Sequence, residues 1–136
     1  MAVQLLTPEG MFQPVPYHHV AVATGTRHVQ VAGQINRDEH GRRLAPGDLA
    51  AQTAIALRNT ARGLAGAGAT FGDVVRLRFY AVKWHPDKAG AFFDGLHRVI
   101  EELEIPQPFP PMSFIGVDYL FEPDVLIEVE ADAVID

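Results

Sequence analysis

Hydrophobic and polar positions alternate with period two in four stretches of this chain and with a helical period in two. His18 to Ala23 alternates weakly and carries valines, which predicts a strand, and Thr24-Gly25-Thr26 predicts a tight turn. His28 to Ala32 predicts a second strand, with Val29 and Val31 on one face and His28 and Gln30 on the other. Gly33 then allows a bulge or a close backbone approach. Asn36 to Gly47, with Gly41, Pro46 and Gly47, reads as a loop. Asp48 is placed to cap a helix whose stripe is Ala50, Ala54, Leu57, Ala61 and Leu64, ended by Gly66 and Gly68. The small residues on that stripe predict close packing against a sheet.

Val74 to Val82 is the most strand-like segment. Val75, Leu77, Phe79 and Ala81 share one face; Arg76, Arg78, Tyr80 and Val82 share the other. A second helix is expected from Pro86 and Asp87, with Phe92, Phe93, Leu96, Val99, Ile100 and Leu103 as its apolar stripe. Pro106, Pro108, Pro110 and Pro111 stop it and give an extended entry to a strand from Met112 to Leu120. After a turn at Glu122-Pro123-Asp124, the last strand runs from Val125 to Val134. It has Val125, Ile127, Val129, Ala131 and Ala133 on one side and Leu126, Glu128, Glu130 and Asp132 on the other. The order ββαβαββ predicts an α+β fold, a mixed sheet with both helices on one face, in a single domain of 136 residues. The other face is left with Arg76, Arg78 and Tyr80 from one strand and three carboxylates from another, which the arginines would pair if the two strands are neighbours. Two readings fit: a solvated, ion-paired face, or an assembly face where a carboxylate is partly buried in a cleft and shifted toward proton transfer.

Composition removes several classes. Without cysteine there is no disulfide, thiolate nucleophile or cysteine metal cluster, which fits a cytoplasmic protein. The N-terminal ten residues do not read as a signal peptide, and no apolar run is long enough to cross a bilayer. The net charge of −6 disfavours a sequence-independent grip on nucleic acid; the basic doublet Arg42-Arg43 is the only local exception that stands out. His18 and His19 are adjacent on a strand and point to opposite faces, and the other histidines lack ligand spacing, so no metal site is expected. His19, near Tyr17, is a candidate proton carrier.

Several pieces in order carry a resemblance: Tyr17, Val31-Ala32-Gly33-Gln34, Gly47-Asp48-Leu49-Ala50-Ala51-Gln52-Thr53, Asn59, Ala67-Gly68-Ala69, Asp73-Val74-Val75 and Ile127-Glu128-Val129-Glu130-Ala131. From about Tyr17 to Val134 the chain resembles the RidA/YjgF family of small trimeric proteins. The resemblance implies a chorismate-mutase-like fold, with three subunits packing their sheets into a central barrel and three small-molecule clefts between subunits. It implies hydrolysis of 2-imino acids or enamines to a 2-oxo acid and ammonia, without metal or organic cofactor, and without a nucleic-acid or membrane partner. Carried over by position, the catalytic glutamate falls on Glu130 and the substrate-binding aromatic on Tyr17, with Gly33 at the cleft wall.

The family's Pro-Ala-Arg segment reads Pro110-Pro111-Met112 here, followed by Ser113. The arginine that grips the substrate carboxylate is therefore a thioether, which cannot form a bidentate pair. Activity is expected to be altered or reduced, with Arg78 the candidate compensating cation. The alternative is a non-catalytic metabolite-binding module. A ribonuclease or translation-inhibitor role fits the acidic charge least.

Overall fold

A computed structural model describes residues 2–136. Six strands and three helices follow in the order β1 (Ala2–Leu6), β2 (Val20–Thr24), β3 (Arg27–Gln34), α1 (Leu49–Gly66), β4 (Val74–Val82), α2 (Ala89–His97), α3 (Ile100–Leu103), β5 (Met112–Val117) and β6 (Ile127–Ile135). The order within the main sheet is β3-β6-β4-β5, antiparallel except for the β4/β5 pair, so the sheet is mixed as expected. β1 and β2 form a separate antiparallel pair.

The core lies between one sheet face and the helices. Leu77, Phe79, Ile127, Val129 and Ala131 meet Leu57 and Leu64 of α1 and Phe92 and Leu96 of α2, all at most 3% exposed. Asp48 caps α1 by accepting from the Ala51 N–H at 3.0 Å. At the other end Gly68 takes φ +81, and the Ala69 N–H returns to the Leu64 carbonyl at 2.9 Å. The two longer helices touch closely at Gly95, where a Cβ would stand 2.2 Å from the Ala50 carbonyl oxygen.

Five details differ from the sequence expectation. The first strand, Ala2–Leu6, carries too few residues to show a period. Thr24-Gly25-Thr26 does not close a paired hairpin, because β2 pairs with β1 while β3 pairs with β6. Gly25 serves instead where the end of β6 comes close: a Cβ there would lie 2.6 Å from the Ile135 carbonyl. The expected second helix divides into a 3-10 turn at Pro86–Lys88, then α2 and α3, with Val99 buried at the break. β5 ends at Val117, short of Leu120, and β6 begins at Ile127 rather than Val125. Finally, a bulge between Val74 and Arg76 turns Val74 inward and leaves Val75 only half-buried.

Gln52 anchors the start of β6 from α1. Its side chain donates to the carbonyls of Ala45 (3.1 Å) and Asp124 (3.0 Å) and accepts from the Leu126 N–H (2.9 Å). All of its hydrogen bonds are made inside the core, so its burial carries little cost.

Candidate active site on the uncovered sheet face

Cross-strand neighbours on β4 and β6 are Arg76 with Asp132, Arg78 with Glu130 and Tyr80 with Glu128. The shortest side-chain bonds do not follow that register. The Tyr80 hydroxyl donates to Glu130 at 2.8 Å, and Arg78 donates to Asp132 at 2.9 Å while standing 4.0 Å from Glu130. Both hydrogen bonds are displaced one step along the ladder, which leaves a remainder at each end. Glu128 has no hydrogen bond or ion pair among the described residues. Among the described residues Arg76 has no carboxylate partner; it donates to the Ser113 hydroxyl on β5.

Gly33 explains where the Glu128 carboxylate goes. β3 bulges between Val31 and Gln34, and the Glu128 side chain folds over the glycine. A Cβ on residue 33 would sit 2.0 Å from Glu128 Oε2. Burial, and secondarily the charge of Glu130, pushes the Glu128 carboxyl above the usual carboxylate range. Tyr80 is pushed up too, because its proton is held by the Glu130 carboxylate. Glu130, the position singled out by the resemblance, is thus engaged by Tyr80 and lies near Arg78, whereas Glu128 is uncommitted. Alternation places Glu128, Glu130 and Asp132 on one face without ranking them. The one local hint in sequence was the strand glycine at position 33.

The other singled-out residues lie at the far edge of the sheet. The segment around Tyr17 runs beside Phe109, with the His18 N–H to Phe109 carbonyl at 2.7 Å and the Phe109 N–H to Pro16 carbonyl at 2.8 Å. Tyr17 packs edge-on against His19, with ring centroids 5.3 Å apart, and the His19 ring lies 2.8 Å from the Phe12 carbonyl. Met112 opens β5 opposite Leu77 and packs with Tyr17 against the core, as does Phe114. Ser113 points to the uncovered face with Arg78 and Ile115. Strands in a sheet lie about 4.8 Å apart, so β3 and β5 are separated by about 14 Å across three spacings. One chain therefore holds Gly33 and Glu128 toward one edge and Tyr17, Met112, Ser113 and Arg76 toward the other.

Two open depressions lie on the β3 side. One, of about 560 Å³, is lined by Gln30, Val31, Ala32, Arg78, Glu130 and Asp132. The other, of about 600 Å³, lies between the end of β3 and α1, with Gly33, Arg37, Asn59 and Arg62 in its wall. Asn59 fixes that wall by donating to the carbonyls of Ile35 (3.0 Å) and Arg37 (2.9 Å).

Arg37 forks onto Asp124 at 2.8 and 2.9 Å and also reaches Glu122, and Asn36 adds a bond to Asp124. This holds the Asp124 carboxyl at about 2. The basic doublet is neutralised: Arg42 pairs with Asp38 and Arg43 with Glu122.

The family model described as Endoribonuclease L-PSP matches residues 12–135. Among solved structures, YyfB of the conserved Rid protein family from Yersinia pestis is 35% identical, covering 99% of this chain and 100% of that one, with a TM-score of 0.87. The chain belongs to the Rid/YjgF family. This Rid-family protein is also similar to the YjgF gene product from E. coli, at 25% identity over 96% of this chain and 92% of that one, TM-score 0.67. E. coli TdcF, solved with bound serine, shares the fold at 23% identity, covering 100% and 99%, TM-score 0.68. No curated protein matches the chain. No helix among the described residues is long and apolar enough to cross a membrane.

Proposed function

We propose that this Rid-family protein assembles head-to-tail into a closed homotrimer and hydrolyses imines or enamines of weakly charged, apolar character in the clefts between subunits. The observation that carries this reading is the Glu128 carboxylate: without a hydrogen bond or ion pair in its own chain among the described residues, folded over Gly33 and pushed above the usual carboxylate range by burial. Such a group can take a proton from water as the oxygen adds to an imine carbon, then return it to the departing nitrogen. The balanced outcome is one water consumed, one carbonyl compound and one ammonia or amine released. No external electron acceptor is needed.

Assembly supports the site because its parts lie at opposite sheet edges. A head-to-tail ring brings the β5 edge of one copy to the β3 edge of the next, so that Tyr17 and Met112 of one copy face Glu128 of the other. Met112 and Tyr17 offer an apolar, polarisable wall. On the uncovered face Arg78 pairs with Asp132, a contact that competes with its use as a replacement for the cation position 112 lacks.

The test couples ammonia release to an amino-acid or amine oxidase that generates imines in place, with and without the protein. Faster release on apolar imines, exceeding that on acidic ones, is expected. No acceleration on acidic, basic or apolar imines would remove the hydrolase reading. It would leave the same apolar wall as a metabolite-binding site, to be pursued by ligand screening.

A further inference from the structure

The displaced pairing on the uncovered face leaves one acid and one base, and they lean in opposite directions. Glu128 reaches over β3, by way of Gly33; Arg76 reaches toward β5, by way of Ser113. They cannot meet within a chain. Arg76 lies opposite Asp132 and Tyr80 opposite Glu128, so the two stand four residue steps apart along the ladder, about 13 Å. β3 and β5 are the two outer strands of the sheet.

We infer that Arg76 of one copy pairs with Glu128 of the next and positions that carboxylate for its work in the shared cleft. This inference rests on the head-to-tail ring proposed above and adds to it a specific contact. A head-to-tail interface joins two different edges, so a leftover base at one edge and a leftover acid at the other are complementary in every contact around the ring. A like-with-like two-fold contact would instead set base against base. The Ser113 hydroxyl holds the guanidinium toward the edge while leaving N–H donors unused. The groups facing Glu128 within its own chain are Glu130 on the same strand and Tyr80 on β4, and neither is a cation; Gly33 on β3 brings no charge. Arg78, the nearby cation, is held by Asp132. Among the described residues the acid thus lacks an internal counter-charge, and the next copy supplies one.

The test is a double-mutant cycle on assembly, with Arg76→Gln, Glu128→Gln and both together. Ring dissociation is followed by sedimentation over graded protein and salt concentrations. Each single change is expected to weaken assembly roughly tenfold or more, in the range of close interfacial charge pairs, and the double variant to be little weaker than either single. Arg76→Lys keeps the charge but not the fork and should recover part of the loss. Carbon-13 titration of the Glu128 carboxyl in the assembled protein adds a local readout: Arg76→Gln should move its midpoint upward. Losses that multiply in the double variant, or a Glu128 midpoint indifferent to residue 76, would overturn the pair while leaving the ring intact. A chain that stays monomeric at all concentrations would overturn both the pair and the ring.

Discussion

Gly33→Ala should remove function while sparing the fold. Gly33 is not among the residues with positive φ, so its backbone accepts alanine. The new Cβ would lie 2.0 Å from Glu128 Oε2, 2.4 Å from its Cδ and 2.7 Å from its Cγ. Contacts below 3.0 Å do not persist, so the carboxylate oxygen must retreat by at least about 1 Å. What it meets is the far end of a flexible side chain, so the cost in stability is small. The loss of glycine's unfolded freedom works the other way, by about 0.4–1 kcal/mol. A misplacement of that size in a catalytic group costs on the order of 100-fold in rate. The assay is kcat/KM for imine hydrolysis beside a urea titration of the same preparation. A variant that hydrolyses imines as fast as the parent would refute the assignment of Glu128. One that loses rate and stability together would show that the glycine serves packing instead.

Other outcomes follow from the same geometry. Gly95→Ala drives a Cβ to 2.2 Å from the Ala50 carbonyl and 2.8 Å from Thr53 Cβ, both backbone-anchored, so α1 and α2 must separate. Chemical denaturation should show a loss of about 1–3 kcal/mol. Asp124→Asn removes a carboxylate whose folded pKa, about 2, lies below its ordinary 3.8. That depression contributes about 2 kcal/mol above the ordinary value and is lost as pH falls toward 2. The stability difference between parent and variant should be full at pH 7 and close between pH 4 and 2; a difference independent of pH would contradict the assignment. Met112→Arg restores a fork for carboxylates and should raise kcat/KM on 2-imino acids by about 10- to 100-fold, with little gain on uncharged imines.

Much of the fold was readable because two periods were clean. The alternation in Val74–Val82 and in Ile127–Ile135 separates the buried face from the charged one, and Asp48 caps the helix it precedes. Val75 was misassigned because a bulge resets the alternation, and a bulge has no periodic signature. The second helix looked continuous because Val99 and Ile100 keep an apolar stripe across the break at Arg98 and Val99. Gln52 and Thr60 look like solvent positions, yet both are fully buried with internal bonds.

In the site, sequence placed Glu128, Glu130 and Asp132 together but could not tell which is free. That depends on which way Tyr80 and Arg78 lean, a property of side-chain conformation rather than of spacing. Arg76 was visible as a charge on the uncovered face, but its bond to Ser113 needed the parallel register of β4 and β5.

The most direct measurement compares Glu128→Gln with Glu130→Gln in the ammonia-release assay, with the urea midpoint of each recorded. The account predicts that, at protein concentrations that keep the ring assembled, Glu128→Gln lowers kcat/KM by about 100-fold or more without loss of the subunit's own urea stability, since it removes a half-buried carboxylate that has no partner within its own chain among the described residues. It predicts that Glu130→Gln acts mainly through the weakened Tyr80 and Arg78 contacts, with a smaller loss of rate. Full activity in the Glu128 variant, with loss confined to Glu130→Gln, would contradict the account and move the proton-transfer role to Glu130.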